Sequence, residues 1–158
     1  MISYGEEFAR TYLFRGKRVS DGKWVYGNLL EIDKNCFIVE KVTSLKQCKA
    51  TLVDPETVSQ YIQGYDLDGI KIFEGDIIHI YSSKQCGIND KPIGIGVVVE
   101  KSCYLDASNG LGRQGLWCRP QDTVQVRVID NIWDNFSLLG ERAKRIINNY
   151  HRRAINED

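Results

Sequence analysis

A chain of 158 residues is the usual size of one domain with a continuous core, and 42% apolar with 27% charged residues argues against disorder. Lysine plus arginine equals aspartate plus glutamate at 21 each, which excludes a global bias toward a polyanion. No uninterrupted apolar run approaches the roughly 20 residues that cross a bilayer, so no membrane partner is expected.

Residues 1–10 read as a lead-in without a period. They have neither a basic start nor an apolar core, so no secretory signal is expected and the protein is placed in the cytoplasm. Residues 11–19 and 23–30, separated by Asp21-Gly22, form a β-hairpin in which period-2 alternation sets Trp24 and Tyr26 on one face. Residues 35–40 give a third strand, with Phe37 and Val39 together, and residues 49–53 a fourth. Asp54-Pro55-Glu56-Thr57 breaks the sheet: proline suits the first turn of a helix and Asp54 can cap it, so one helical turn is predicted, followed by an extended 60–65.

The stretch 65–80 organises the rest. Asp68-Gly69 is a tight-turn signal, residues 70–73 an apolar run, Glu74-Gly75-Asp76 a corner and residues 77–80 a second apolar run. Residues 82–91 read as a polar loop and 93–99 as a strand in which Gly94 and Gly96 mark weakness or a bulge. Residues 102–117, with Asn109-Gly110, Gly112 and Gly115, read as an extended hairpin tip or flap. In residues 123–129, Val124, Val126 and Val128 alternate with polar residues, a strand with one buried face.

From Gly140 the period changes. Ala143, Ile146, Ile147, Tyr150 and Ala154 make a narrow apolar stripe on a helix flanked by arginines. The segment 141–158 holds five basic and three acidic residues, a small positive excess. The elements predict a mostly β fold: a small, twisted, partly closed antiparallel β-barrel over residues 1–139, with a short helical turn near Pro55. A basic amphipathic α-helix over residues 140–158 then packs on that domain or on a partner subunit.

Several stretches resemble the YopX family, whose members are encoded mainly by bacteriophages and prophages. They are Leu13-Phe14-Arg15-Gly16-Lys17, Trp24-Val25-Tyr26-Gly27, Val53-Asp54-Pro55-Glu56-Thr57-Val58 with Gln60-Tyr61, Asp68-Gly69, Ile72-Phe73-Glu74-Gly75-Asp76-Ile77, and the closing Val128-Ile129-Asp130-Asn131-Ile132-Trp133-Asp134-Asn135. Order and spacing match over about residues 12–139. The resemblance implies a mostly β fold, a phage-type origin and homo-oligomers, and it implies no activity. Asp130 stands where the family commonly has glycine; the 102–118 loop and the basic tail are particular to this chain.

Chemistry-bearing patterns are few. Cys36, Cys48, Cys86, Cys103 and Cys118 are odd in number and widely spaced, without a Cys-x-x-Cys pair, and read as reduced thiols that hold no metal and form no disulfide framework. Gly110-Leu111-Gly112-Arg113-Gln114-Gly115 has the letters of a dinucleotide loop, but Pro120 interrupts the helix that such a loop must open. Asp66-x-Asp68-Gly69 fails as a calcium loop because Gly64 and Gly75 occupy ligand positions. No cofactor is expected.

Glu74, Asp76 and His79 are a candidate pocket. The carboxylates can share a strand face for acid–base work, although Gly75 suggests a solvated corner, and His79 among isoleucines reads as a hydrogen-bonded strand residue. Neither His79 nor His151 has a nucleophile at motif spacing, so no catalytic residue is named.

Arg15, Lys17 and Arg18 lie across the hairpin from Trp24 and Tyr26, with Arg145 and Arg152 on the basic helix. Cations beside aromatics hold single-stranded nucleic acid, charge on phosphate and ring on base. The alternative makes the aromatics core, and strand register decides between them. Three functions follow. The first is a non-enzymatic binding or assembly module acting as a homo-oligomer, covering unpaired strand edges and the half-apolar helix. The others are a single-stranded nucleic-acid binder and a phage-encoded enzyme or inhibitor of a host enzyme. The partners expected are thus a second copy, nucleic acid or a host protein.

Overall fold

The computed structural model describes residues 13–44, 47–81, 91–99, 102–106, 113–115 and 125–156. Strands β1 (Phe14–Lys17) and β2 (Trp24–Ile32) pair antiparallel, with Phe14 opposite Gly27 and Lys17 opposite Trp24. Strand β3 (Asn35–Ser44) returns beside β2 through the two-residue turn Asp33-Lys34, and β4 (Gln47–Val53) pairs with β3. Both turn residues have positive φ, +48° and +66°, the type I′ sense that matches the twist of the strands.

One face of this sheet is core. Val25, Ile38 and Val53 are buried, with Phe14, Leu29, Cys36 and Val58 packed against them. Glycines let the sheet curl around this cluster: a Cβ on Gly16 would come within 2.9 Å of Val53, and one on Gly27 would collide with the Val39 carbonyl beside the β3 bulge. The curl brings the residues after β1 to the end of β4. Arg18 bridges Val53, Val19 N donates to Leu52 O at 3.2 Å, and Asp54 N donates to Lys17 O at 2.8 Å. No closed barrel is found among the described residues.

The predicted turn at Pro55 is present as one 3₁₀ turn, Pro55–Thr57, and Asp54 Oδ1 accepts from Glu56 N at 3.1 Å. Thr57 Oγ1 accepts from Lys17 N at 2.8 Å and donates to Asp54 O at 2.7 Å. Strand β5 (Ser59–Tyr65) then starts beside β1, with Ser59 opposite Arg15.

Alternation alone predicts one continuous scaffold, but the chain divides into two compact units, the first ending at Gln60 and the second beginning at Tyr61. A curled sheet that encloses its own cluster has no need of a core shared with later strands. Val126 accordingly belongs to a different cluster from Val25.

In the second unit, the end of β5 pairs with β6 (Lys71–Phe73) across an irregularity that holds Gln63 at φ +63°. Strands β7 (Asp76–Ile80), β8 (Gly94–Val99), β9 (Ser102–Asp106), β10 (Arg113–Gly115) and β11 (Val126–Asn131) form an antiparallel sheet of order β10-β9-β8-β7-β11. Gly94 and Gly96 pair in regular register with Ile80 and Ile78, so neither marks a bulge. β9 and β10 are the two arms of the predicted hairpin; its tip, 107–112, lies outside the described residues, as do the 82–90 loop and Val124.

Both faces of β7 and β8 are covered. Ile78, Val98 and Val126 pack with Ile62 and Ile72 on one side. On the other, Ile77, Val97 and Val99 pack with Leu139, Ala143 and Ile147. The chain reaches that side through α1 (Ile132–Asn135), a 3₁₀ turn at Phe136–Leu138, and α2 (Glu141–Asn156).

Two devices fix the unit. The buried Asp66 carboxylate accepts from Asp68 N (2.9 Å), Ile70 N (2.8 Å) and Val128 N (3.0 Å), while Leu67 N donates to Val126 O (3.0 Å). The 66–70 turn thereby caps the outer edge of β11. At the corner before β7, Gly75 has φ +77° and the Trp133 indole lies directly against its Cα, leaving no room for a Cβ.

Candidate functional site

Register settles the question left open at the first hairpin. Phe14 and Gly16 pair with Gly27 and Val25 on the core face, so Arg15, Lys17, Tyr26 and Trp24 share the opposite face. Tyr26 is 48% exposed and Trp24 half-buried; neither belongs to the apolar cluster. The Trp24 ring carries the Arg15 guanidinium 4.6 Å and the Lys17 ammonium 5.4 Å from its centroid, within cation–π range. Arg15 is buried, and its Nε donates to Ser59 Oγ at 3.0 Å, which fixes the guanidinium over the indole.

Arg18 follows at the start of the loop. It is ion-paired to Asp21 at 2.8 Å, and its Nε is shielded from solvent without a hydrogen-bond partner among the described atoms. Part of its charge is thus already neutralised.

The rest of the face follows from the ladder. Beyond Tyr26 its register positions are Asn28, Leu30, Ile32, Asn35, Phe37, Val39, Ala50 and Leu52, none of them acidic. Leu30, Phe37 and Leu52 stand directly opposite one another across β2, β3 and β4. Leu30 is 39%, Leu52 41% and Ile32 50% exposed. Glu40, at the β3 bulge, bonds Lys49 (3.1 Å) and Thr51 (3.1 Å), which hold it below the usual carboxylate range. The apolar row is invisible in any single strand, because one exposed leucine in β2 and one in β4 are unremarkable until pairing aligns them with the half-buried Phe37.

The second candidate group is not brought together. Asp76 is 1% exposed, and its Oδ2 accepts from Phe73 N at 2.8 Å, a brace across the Glu74-Gly75 corner. Side chains alternate along β7, so Asp76 falls on the side of Ile78, and His79 on the side of Ile77. His79 pairs with Ile95 and Arg127 in the ladder. Glu74 is half-buried at the corner itself. A three-residue pocket therefore has no common wall. The calcium-like Asp66–Gly69 stretch is the turn described above, and Gly115 of the glycine-rich segment ends a strand instead of opening a helix. Among the described residues no cluster of His, Cys, Asp and Glu could hold a metal ion.

On α2, Arg142 and Arg145 are exposed, Lys144 pairs with Glu141 at 3.0 Å, and the side chain of Arg152 lies outside the described residues. Ala143 and Ile147 are buried against β7 and β8, and the side chains of Ile146, Tyr150 and Ala154 lie outside the described residues. Among the described residues no helix is long and apolar enough to cross a membrane.

A family model described as YopX protein matches residues 13–140, most of the chain. No curated protein and no solved structure matches it.

Proposed function

We propose that this chain, which belongs to the YopX family, is a non-enzymatic binding module whose contact surface is the acid-free face of β1–β4. The curl of those strands supports a partly closed barrel confined to the first unit, narrower than the one expected over residues 1–139. One observation carries the proposal: the register that sets Arg15, Lys17, Trp24 and Tyr26 side by side, away from the core. The ligand class that suits this end of the face is single-stranded nucleic acid, with the basic groups near phosphate and Tyr26 stacked on a base. The setting is that of a phage- or prophage-encoded protein in a bacterial cytoplasm.

The test is fluorescence anisotropy of the protein with labelled oligothymidylate at low and moderate salt. Base–aromatic stacking contributes about 1–3 kcal/mol per base, so Tyr26→Ala should weaken binding by about five- to 150-fold. Lys17→Glu should weaken it and reduce its salt dependence. No measurable binding of the unaltered protein at low salt would end this reading. A second reading, contact with another protein surface, is favoured by a separate observation, the Leu30–Phe37–Leu52 row with its two exposed leucines.

A further inference from the structure

We infer that Asn28 is the specificity-determining residue of this face. It reads the hydrogen-bonding edge of a base stacked on Tyr26, with Leu30 against the base's methyl group, which makes thymine in single-stranded DNA the preferred base. The inference rests on the nucleic-acid reading above and adds to it a choice of base.

Tyr26, Asn28 and Leu30 are consecutive outward positions of β2, each about 7 Å from the next. All three are exposed. Trp24, next in the row, already carries the Arg15 and Lys17 cations, so Tyr26 is the ring left for a base. Asn28 stands among apolar positions. Val39, directly opposite, is buried, and Leu30 beside it faces Phe37 and, beyond that, Leu52. Among the described residues nothing hydrogen-bonds the Asn28 amide, so its donor and its acceptor are both open to a ligand.

Chemistry selects the base. Along one edge thymine presents the N3 hydrogen, the O4 oxygen and the C5 methyl, in that order. Asn28 Oδ1 can accept from N3–H while Nδ2 donates to O4, and the methyl then lies on the Leu30 side. Cytosine satisfies the amide in its flipped orientation and uracil in the same one, but neither has a methyl for Leu30. A purine sets N7, an acceptor, where the methyl would be, against a side chain that cannot donate.

Fluorescence anisotropy with thymidylate, deoxyuridylate and deoxyadenylate oligomers of one length, at one salt concentration, tests this. The unaltered protein should bind oligothymidylate about fourfold more tightly than oligodeoxyuridylate, the worth of one buried methyl. Oligodeoxyadenylate should bind more weakly than either. Leu30→Ala should abolish the thymidylate advantage and leave deoxyuridylate binding unchanged. Asn28→Ala should weaken binding of both pyrimidine oligomers by about fivefold or more. Both substitutions fall at exposed positions, and an unchanged urea midpoint verifies that the fold is intact. Equal affinity for thymidylate and deoxyuridylate, or an Asn28→Ala protein that binds both as the unaltered one does, would overturn the inference and leave the nucleic-acid reading standing. Absence of binding to every oligomer would end that reading and this inference with it.

Discussion

Gly75 and Gly69 offer a matched pair for separating backbone strain from packing. Both have φ +77°, so an alanine at either site meets the same left-handed backbone penalty, about 1–2 kcal/mol. A Cβ on Gly69 meets nothing within 4 Å, whereas one on Gly75 runs into the Trp133 ring. Trp133 cannot easily yield. Its backbone is pinned by Asn131 Oδ1, which accepts from Trp133 N at 3.1 Å, and Ile132 N donates to Gly75 O at 2.9 Å. Overpacking of this kind adds about 1–3 kcal/mol, so Gly75→Ala should cost about 2–5 kcal/mol against about 1–2 for Gly69→Ala. Urea denaturation of both variants measures the difference. Trp133→Leu completes a double-mutant cycle, in which the Gly75→Ala penalty should shrink toward the Gly69→Ala value once the indole is gone. Equal costs for the two alanines, or additive costs with Trp133→Leu, would refute the argument that this contact sets the corner.

The remaining predictions concern other sites. Lys34 sits at φ +66° in a turn that favours glycine at that position. Lys34→Gly should therefore stabilise the protein by roughly 0.5–1 kcal/mol, the strain relieved less the added chain entropy, read as a higher urea midpoint. Asp66→Ala strips three backbone donors of their acceptor and should cost about 3–5 kcal/mol. Asp66→Asn, which sets an amide donor against one of those N–H groups, should also destabilise. If Asp66→Asn unfolds at the wild-type midpoint, the edge-capping role is wrong. Burial first, and the Glu31 charge second, push the Cys36 thiol above its ordinary range. Its alkylation, followed site by site by mass spectrometry, should be slower than that of an unhindered thiol at pH 8, and Glu31→Gln should speed it modestly.

Some elements could be read directly because local chemistry determines them. Asp54-Pro55 announces the 3₁₀ turn, Asp68-Gly69 the turn before β6, and the Ala143–Ile147 spacing the buried side of α2. The division at Gln60 could not be read, because it depends on the ends of one sheet meeting at Arg18 and Val53, thirty-five positions apart. Helix α1 was hidden for a different reason: Asn131-Ile132-Trp133 continues the apolar pattern of β11. Only the Asn131 side chain, accepting from Trp133 N and Asp134 N, stops the strand and starts the helix. That cap is a sequence signal of the ordinary kind, masked here by the strand before it. The proposed contact face was half visible: alternation put Trp24 with Tyr26, but their side of the sheet rests on pairing between strands.

The same pairing separates what the scaffold explains from what it leaves over. Gly16 and Gly27 are required by close approach to Val53 and the Val39 carbonyl, and Val25 fills the core between them. In the second unit, Gly75, Asp76 and Asn131 are each accounted for by a corner, a brace or a cap. Trp24 and Tyr26 alternate with these packed positions, yet neither joins the buried cluster, and the buried Arg15 lies over the Trp24 ring. Of the two, Tyr26 is the more exposed, at 48%, so the apolar core depends on it least. Tyr26→Ser should therefore leave the urea midpoint nearly unchanged while removing ligand contact, whereas a loss of stability comparable to that of Val25→Ala would return the aromatics to the scaffold and move the search for function off this face.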